Sequence, residues 1–352
     1  MRKLLLIIMI AALGTVALSA QDDAPSLTRV CLVLNIGQVD DGTFNQDAFE
    51  GLQAIIEDYA LLPEETTILT SETPADHAPN IQQCVDENYG VVVTIGFQLA
   101  ELTLAAAEAN PNTYFIGVDH FVADGPPNYV GIQFRDDEAG FLVGVMAGLM
   151  TETDVVAGVY GPPIPPILRF RSGFEQGVAY AGELSAGDVV VLGTHLDNFD
   201  SMTDGAAAID TLFYAGADVI FGAGGLTGSG AILEAATRGL YVIGVDQDEY
   251  FTTFDGGTVD GADQIITSAL KRVNVGVYDM VSTLLEENFE NFPGGGNYVL
   301  SVANGGISFA NTHDAPVPDD VIEQVIRVEE QLASGNLTTG VDPVTGELID
   351  EG

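Results

Sequence analysis

The sequence predicts an α/β protein of two lobes, each built on a parallel sheet with helices on both faces. Three observations predict it. Short apolar runs rich in Val and Ile recur along the chain, amphipathic stretches separate them, and several runs end in Gly or Asp. Apolar runs of this kind suit strands buried on both faces. Their alternation with helices calls for parallel sheets. The 352 residues suit two domains, and 47% hydrophobic content with 41 glycines and 18% charged residues fits a chain with real cores.

Taken in order, the predicted strands are 30–36, 91–95, 114–118, 129–134, 155–160, 189–192, 219–221, 241–245 and 298–302. Amphipathic helices are expected at 45–59, 100–109, 138–150 and 265–287, and a further helix at 319–332. Asp41 or Thr43 is placed to cap the first of these. The predicted division assigns 29–131 with about 247–296 to one lobe and 132–246 with about 297–335 to the other, followed by a polar, fraying tail over 336–352. The strand at 114–118 runs into Asp119, the strand at 241–245 into Asp246, and the strand at 219–221 into Gly222, Gly224 and Gly225. Ligands of open parallel sheets sit beyond the carboxyl ends of the strands, so these residues are candidates for a site.

Residues 1–20 read as an export signal. Arg2 and Lys3 form a basic start, an apolar core follows, and Ala17-Leu18-Ser19-Ala20 offers small residues for cleavage. No cysteine follows the apolar core, so a lipid-anchoring site is not expected and the mature chain is read as periplasmic or surface-associated. Ten basic against 52 acidic residues give −42, and loss of Arg2 and Lys3 leaves about −44. Such a charge makes nucleic acid and anionic membranes poor partners. The acids are spread along the chain, as on a solvated surface. Cys31 and Cys84 are candidates for a disulfide in the first lobe, which export permits. Two cysteines alone cannot build a structural zinc site.

Several chemistries are excluded. The run from Gly222 to Gly230 has no Lys for a phosphate loop and puts Thr227 where a dinucleotide fingerprint needs its last glycine. Ser229 does not sit in a nucleophile elbow. The glycines either admit a ligand to the backbone or pack a helix on a strand. His77, His120, His195 and His313 are scattered as surface or loop residues, and only His120 follows a strand end. No cofactor is expected. Phe44 opens the first helix at the crevice mouth, where an aromatic either stacks on a planar ligand or packs the helix start. Lys271 is the single lysine after residue 20. It is either a ligand donor that neutralises nearby acids or a helix-surface charge.

Six ordered blocks then resemble one family. They are Asp41-Gly42-Thr43-Phe44-Asn45-Gln46 with Glu50-Gly51, Phe134-Arg135-Asp136-Asp137-Glu138-Ala139-Gly140-Phe141-Leu142, Arg169-Phe170-Arg171-Ser172-Gly173-Phe174, Asp218-Val219-Ile220-Phe221-Gly222-Ala223-Gly224-Gly225, Ile243-Gly244-Val245-Asp246-Gln247-Asp248, and Thr267-Ser268-Ala269-Leu270-Lys271-Arg272. Together they look like the basic membrane protein family, the PnrA-like nucleoside-binding proteins of ABC importers.

The resemblance implies a type I periplasmic-binding-protein fold, two Rossmann-like lobes joined by a multi-strand hinge. It implies a monomer that binds a purine nucleoside in the cleft and delivers it to permease subunits. Phe44 and Phe199 would sandwich the base, with Asp41 in the same opening motif. Asp119 would bond the base edge with help from Asn45. Asp246 or Asp248, with Lys271 and the backbone of Gly222, Gly224 and Gly225, would hold the ribose. A neutral nucleoside suits so acidic a protein better than a nucleotide does. The alternatives are a sugar or signalling molecule bound by the same fold, for transport or sensing. An exported nucleoside hydrolase would need a calcium-binding aspartate cluster that is not visible, so no enzyme is expected.

Overall fold

The computed structural model describes residues 24–185 and 187–349. The export signal expected over 1–20 lies outside the described residues. Two six-stranded sheets form the frame. The first contains β1 (Ser26–Ile36), β2 (Thr66–Ser71), β3 (Tyr89–Ile95), β4 (Tyr114–Val118), β5 (Tyr129–Phe134) and β11 (Asn297–Leu300), ordered β11-β5-β4-β3-β1-β2 and parallel throughout. The second contains β6 (Val155–Tyr160), β7 (Val190–His195), β8 (Val219–Ala223), β9 (Tyr241–Asp246), β10 (Ile265–Lys271) and β12 (Ile307–Phe309), ordered β12-β10-β9-β8-β6-β7. Only β12 runs antiparallel in it, against β10. Every residue of β3 and β5 is buried, which is why these segments read as unbroken apolar runs.

The helices are α1 (Phe44–Tyr59), α2 (His77–Asp86), α3 (Ala100–Ala109), α4 (Asp136–Met150), α5 (Pro165–Ser185), α6 (Met202–Tyr214), α7 (Gly225–Thr237), α8 (Val273–Leu285) and α9 (Asp319–Ala333). One expectation fails with consequence. The helix predicted over 265–287 divides into β10 and α8. Ile265-Ile266-Thr267 is β-branched and pairs with β9, and a short buried strand is indistinguishable from a buried helical segment by period. β2 was also unforeseen, because an edge strand of mixed exposure carries no apolar run.

The lobe boundaries shift accordingly. The first lobe takes 24–134 and 272–300, and the second takes 135–271 and 301–349. Residues 247–271, placed with the first lobe by sequence, complete the second sheet, and β11 closes the first. The chain therefore crosses three times, after β5, β10 and β11. Two crossings are tied together, since Arg135 N–H donates to Leu300 O at 2.8 Å. The tail does not fray over 336–349. Val341 pairs with Leu348, and Thr339 and Val341 are buried against the second lobe.

Close packing at the start of the second lobe sets up the site. A Cβ on Gly140 would lie 2.2 Å from Phe170 O, and one on Gly173 would lie 2.1 Å from Asp137 O. These glycines let α4 and α5 touch backbone to backbone, which brings Asp136 and Arg169 together. In the first lobe a disulfide joins Cys31 on β1 to Cys84 on α2.

Candidate ligand-binding cleft

A cavity lies between the lobes, at the carboxyl ends of both sheets. Asn35, Gly96 and Asp119 reach it from the ends of β1, β3 and β4, and Gly224, Asp246 and Lys271 from β8, β9 and β10. Asp119 and Asp246 hold equivalent places in the two lobes. Each ends its strand in the left-handed region, with φ of 62° and 65°, a conformation Asp tolerates better than most residues.

Helix starts supply the aromatic wall. Asp41 accepts backbone N–H bonds from Thr43, Asn45 and Gln46 at 2.9–3.1 Å, which fixes the first turn of α1 and places Phe44 in the cavity. Burial nonetheless raises the Asp41 carboxyl above its usual range, against these donors. Phe199 faces the same cavity from the second lobe. Its loop is held by Thr227, whose N–H donates to Phe199 O and whose hydroxyl donates to Asn198. A Cβ on Gly161 would lie 2.3 Å from the Phe199 ring, so only glycine leaves room for it.

A charged network closes one side. Lys271, 2% exposed, donates from Nζ to both carboxylate oxygens of Asp119 at 2.8 Å, and Nζ lies 3.1 Å from Asp136 Oδ1. Arg169 Nη2 lies 2.7 Å from Asp136 Oδ2, and Nε donates to the same oxygen. The Lys271 ammonium also sits over the rings of Phe134, Phe44 and Phe170 at 4.9, 5.0 and 5.7 Å from their centroids. Burial works to lower the Lys271 pKa, but Asp119, Asp136 and Asp246 together raise it, so the ammonium stays charged.

Asp246 differs from the other acids. It is 8% exposed and lines the cavity, and no hydrogen bond from the described residues reaches its carboxylate. Burial drives its pKa well above the usual range, Lys271 opposes that, and Asp119 and Asp136 reinforce it. Asn45 also has a buried carbonyl oxygen, Oδ1, with no donor among the described residues.

Of the residues singled out by sequence, Asp41, Phe44, Asn45, Asp119, Phe199, Gly224, Gly225, Asp246 and Lys271 line this cavity. Gly222 does not. It packs β8 on α7, where a Cβ would meet Gly228 O at 2.6 Å. Asp248 does not either. It bonds His313 Nε2 at 2.8 Å and lines a separate depression with Gln46, Glu50 and Arg272. His120 is buried behind Asp119, between Gly96 O and the Tyr129 hydroxyl, and burial pushes its pKa down to about 4. Sequence reasoning missed Phe170, Gln98 and Asn35. The strand-end rule would have found the latter two, beside β3 and β1.

Two parallel-sheet lobes, three crossings and a cavity at the strand ends define the type I periplasmic-binding-protein fold. Solved structures agree. The solute-binding protein of an ABC transporter system from Aeropyrum pernix K1 superposes with a TM-score of 0.76 at 24% identity, covering 88% of this chain and 92% of that one. One from Conexibacter woesei gives 0.66 at 23%, covering 90% and 99%. The family described as ABC transporter substrate-binding protein PnrA-like matches residues 28–338, and the chain belongs to it.

Among its relatives, the CD4+ T-cell-stimulating antigen of Listeria innocua is 30% identical over 92% of this chain and 91% of its own. The ABC transporter nucleoside-binding protein BmpA of Lactococcus lactis subsp. cremoris is 27% identical over 88% of each. The family is one of extracytoplasmic transporter components that bind a small ligand and work with a permease, not one of enzymes. Among the described residues no helix is long and apolar enough to cross a membrane.

Proposed function

We propose that this chain binds a nucleoside, a purine nucleoside foremost, and presents it to the permease of an ABC importer. The observation that carries the reading is the Asp246 carboxylate, nine-tenths buried and without a hydrogen-bond donor among the described residues, beside the Lys271 ammonium in a cavity that Phe44 and Phe199 line from opposite lobes. A vicinal diol supplies two hydroxyl donors to such a carboxylate. A flat heterocycle gains from aromatic faces, and its ring N–H or amino group suits the free Asn45 Oδ1. The lobes would close about the crossings after β5, β10 and β11, so that both contribute contacts.

A phosphate would meet Asp41, Asp119 and Asp246 in the cavity with one lysine to receive it, so the reading favours nucleosides over nucleotides. Calorimetric titration of residues 21–352, refolded to strip carried-over ligand, with adenosine, guanosine, inosine, uridine and ribose tests it. Binding of a nucleoside with ribose silent is expected. Silence from all four nucleosides overturns it, and binding of ribose alone moves the assignment to sugars.

A further inference from the structure

We propose that residues 339–349 form a strap that holds the cleft lysine in place through Arg169 and Asp136. The family match ends at residue 338, yet the chain continues into an ordered hairpin. Asp342 accepts from the N–H groups of Val344 and Thr345 at 2.9 and 2.8 Å, Val341 pairs with Leu348, and Gly346 N–H returns to Asp342 O. This hairpin is bolted to the starts of α4 and α5. Thr339 donates to Asp137 Oδ2 at 2.5 Å, Ser172 donates to Gly346 O at 2.6 Å, and Arg169 Nη1 donates to Val344 O at 3.2 Å.

The last of these bonds matters for the ligand. Asp136 is shared, with Oδ2 facing Arg169 and Oδ1 facing Lys271. Arg169 is 1% exposed, so its guanidinium depends on the acceptors the protein supplies. The strap supplies one from outside, and Asp136 supplies the other from within. Without the strap, Arg169 Nη1 loses its acceptor and water reaches the guanidinium. Arg169 then holds Asp136 less firmly, and the freed carboxylate competes with Asp119 for the Lys271 ammonium. Arg169 is thus a positioning residue and the strap its clamp. The consequence for binding rests on the reading that Lys271 faces the ligand, but the effect on Lys271 does not.

Lys271 is the sole lysine in residues 21–352, so ¹⁵N-lysine labelling of that chain gives one side-chain ammonium signal. The double variant Thr339→Val/Gly346→Val removes the bond to Asp137 and places a side chain where a Cβ would meet Arg169 N at 2.6 Å. Strap release is read by hydrogen exchange over 340–349. The expected result, in ligand-free protein with an unchanged circular dichroism spectrum, is a shifted Lys271 signal that exchanges faster with water. Nucleoside binding should weaken about two- to thirtyfold, the range for substitutions that act through a packed network. Ser172→Ala, which removes only the donor to Gly346 O, should move the lysine signal the same way by less, and it serves if the double variant does not fold. A lysine signal that stays put in a released strap, or in Ser172→Ala where that variant alone folds, overturns the proposal. A wild-type chain that binds no nucleoside overturns the ligand assignment and leaves the lysine result standing.

Discussion

Lys271 closes the last strand position of β10 in the second lobe, and Asp119 follows β4 in the first, so their two 2.8 Å hydrogen bonds join the lobes inside the cavity itself. The resemblance gave these residues to opposite ends of the ligand, Asp119 to the base and Lys271 to the ribose. The structure makes them one unit. Lys271→Met would leave Asp119 an uncompensated buried acid and Asp136 with Arg169 as its one remaining cation. We expect it to lower unfolding free energy by about 3–5 kcal/mol at neutral pH, the usual cost of breaking a buried pair from one side. Adding Asp119→Asn should restore part of the loss. Urea unfolding of both variants measures this, and equal stability of Lys271→Met and wild type would show that the pair does not hold the lobes.

Phe44→Ala should weaken nucleoside binding by about 1–3 kcal/mol, the range for base–aromatic stacking on protein platforms. The Lys271 ammonium lies 5.0 Å from the Phe44 ring centroid, so Phe44→Leu, which keeps bulk but not the π-face, should recover little. Calorimetry with the best-bound nucleoside measures both. Full affinity in Phe44→Leu would assign the side chain to packing.

The legible parts of this fold and site are those whose signal is local. Strands such as β3 and β5 announce themselves because burial on both faces forces an apolar run, and Asp119 and Asp246 stand out because they end such runs. β10 was read as helix because a short buried segment has no decisive period. With it went the lobe boundary, since which sheet a segment joins is a long-range fact. Gly222 and Gly224 look alike in sequence. Only the path of α7 shows that one packs a helix and the other meets the cavity. The Asp136–Arg169 pair was illegible for the same reason, although the glycines at 140, 144, 173 and 177 that bring its two helices together carry the spacing of a close contact.

Stability should depend on pH through buried carboxyls. Glu249 is fully buried, accepts from Val245 N–H and the Ser229 and Thr253 hydroxyls, and is pushed by burial from 4.5 to about 7. Asp47 is likewise raised to about 7, with burial outweighing donation from Asn274 N–H. Between the ordinary and the raised values the folded chain keeps protons that the unfolded chain has lost. Stability therefore falls as pH rises from about 4 to about 7, and these groups add no slope outside that window. In Glu249→Gln the amide oxygen can still accept from Val245 N–H, and the two hydroxyls can turn to accept from the amide nitrogen. The fall should shrink by about 3 kcal/mol. Urea titrations at about pH 4 and pH 8 measure it, and an unchanged slope would remove Glu249 as a source.

The disulfide offers a test of stability apart from binding. Cys31 and Cys84 are both fully buried and lie 53 residues apart. A closed loop of that length restrains the unfolded chain by about 4 kcal/mol in the chain-entropy account, with typical measured values of about 2–4 kcal/mol. Cys31 lies within β1, which carries the chain on to Asn35 and the cavity, yet neither cysteine lines the cavity. Cys31→Ala/Cys84→Ala should therefore lower the unfolding free energy by about 2–4 kcal/mol and leave the nucleoside isotherm unchanged. The same fall should follow reduction of the wild type under denaturant. Equal urea midpoints for oxidised wild type and the double variant would show that the bridge does not restrain the chain. A weakened isotherm at full folding would show that the bridge between β1 and α2 also sets the position of Asn35 at the cleft.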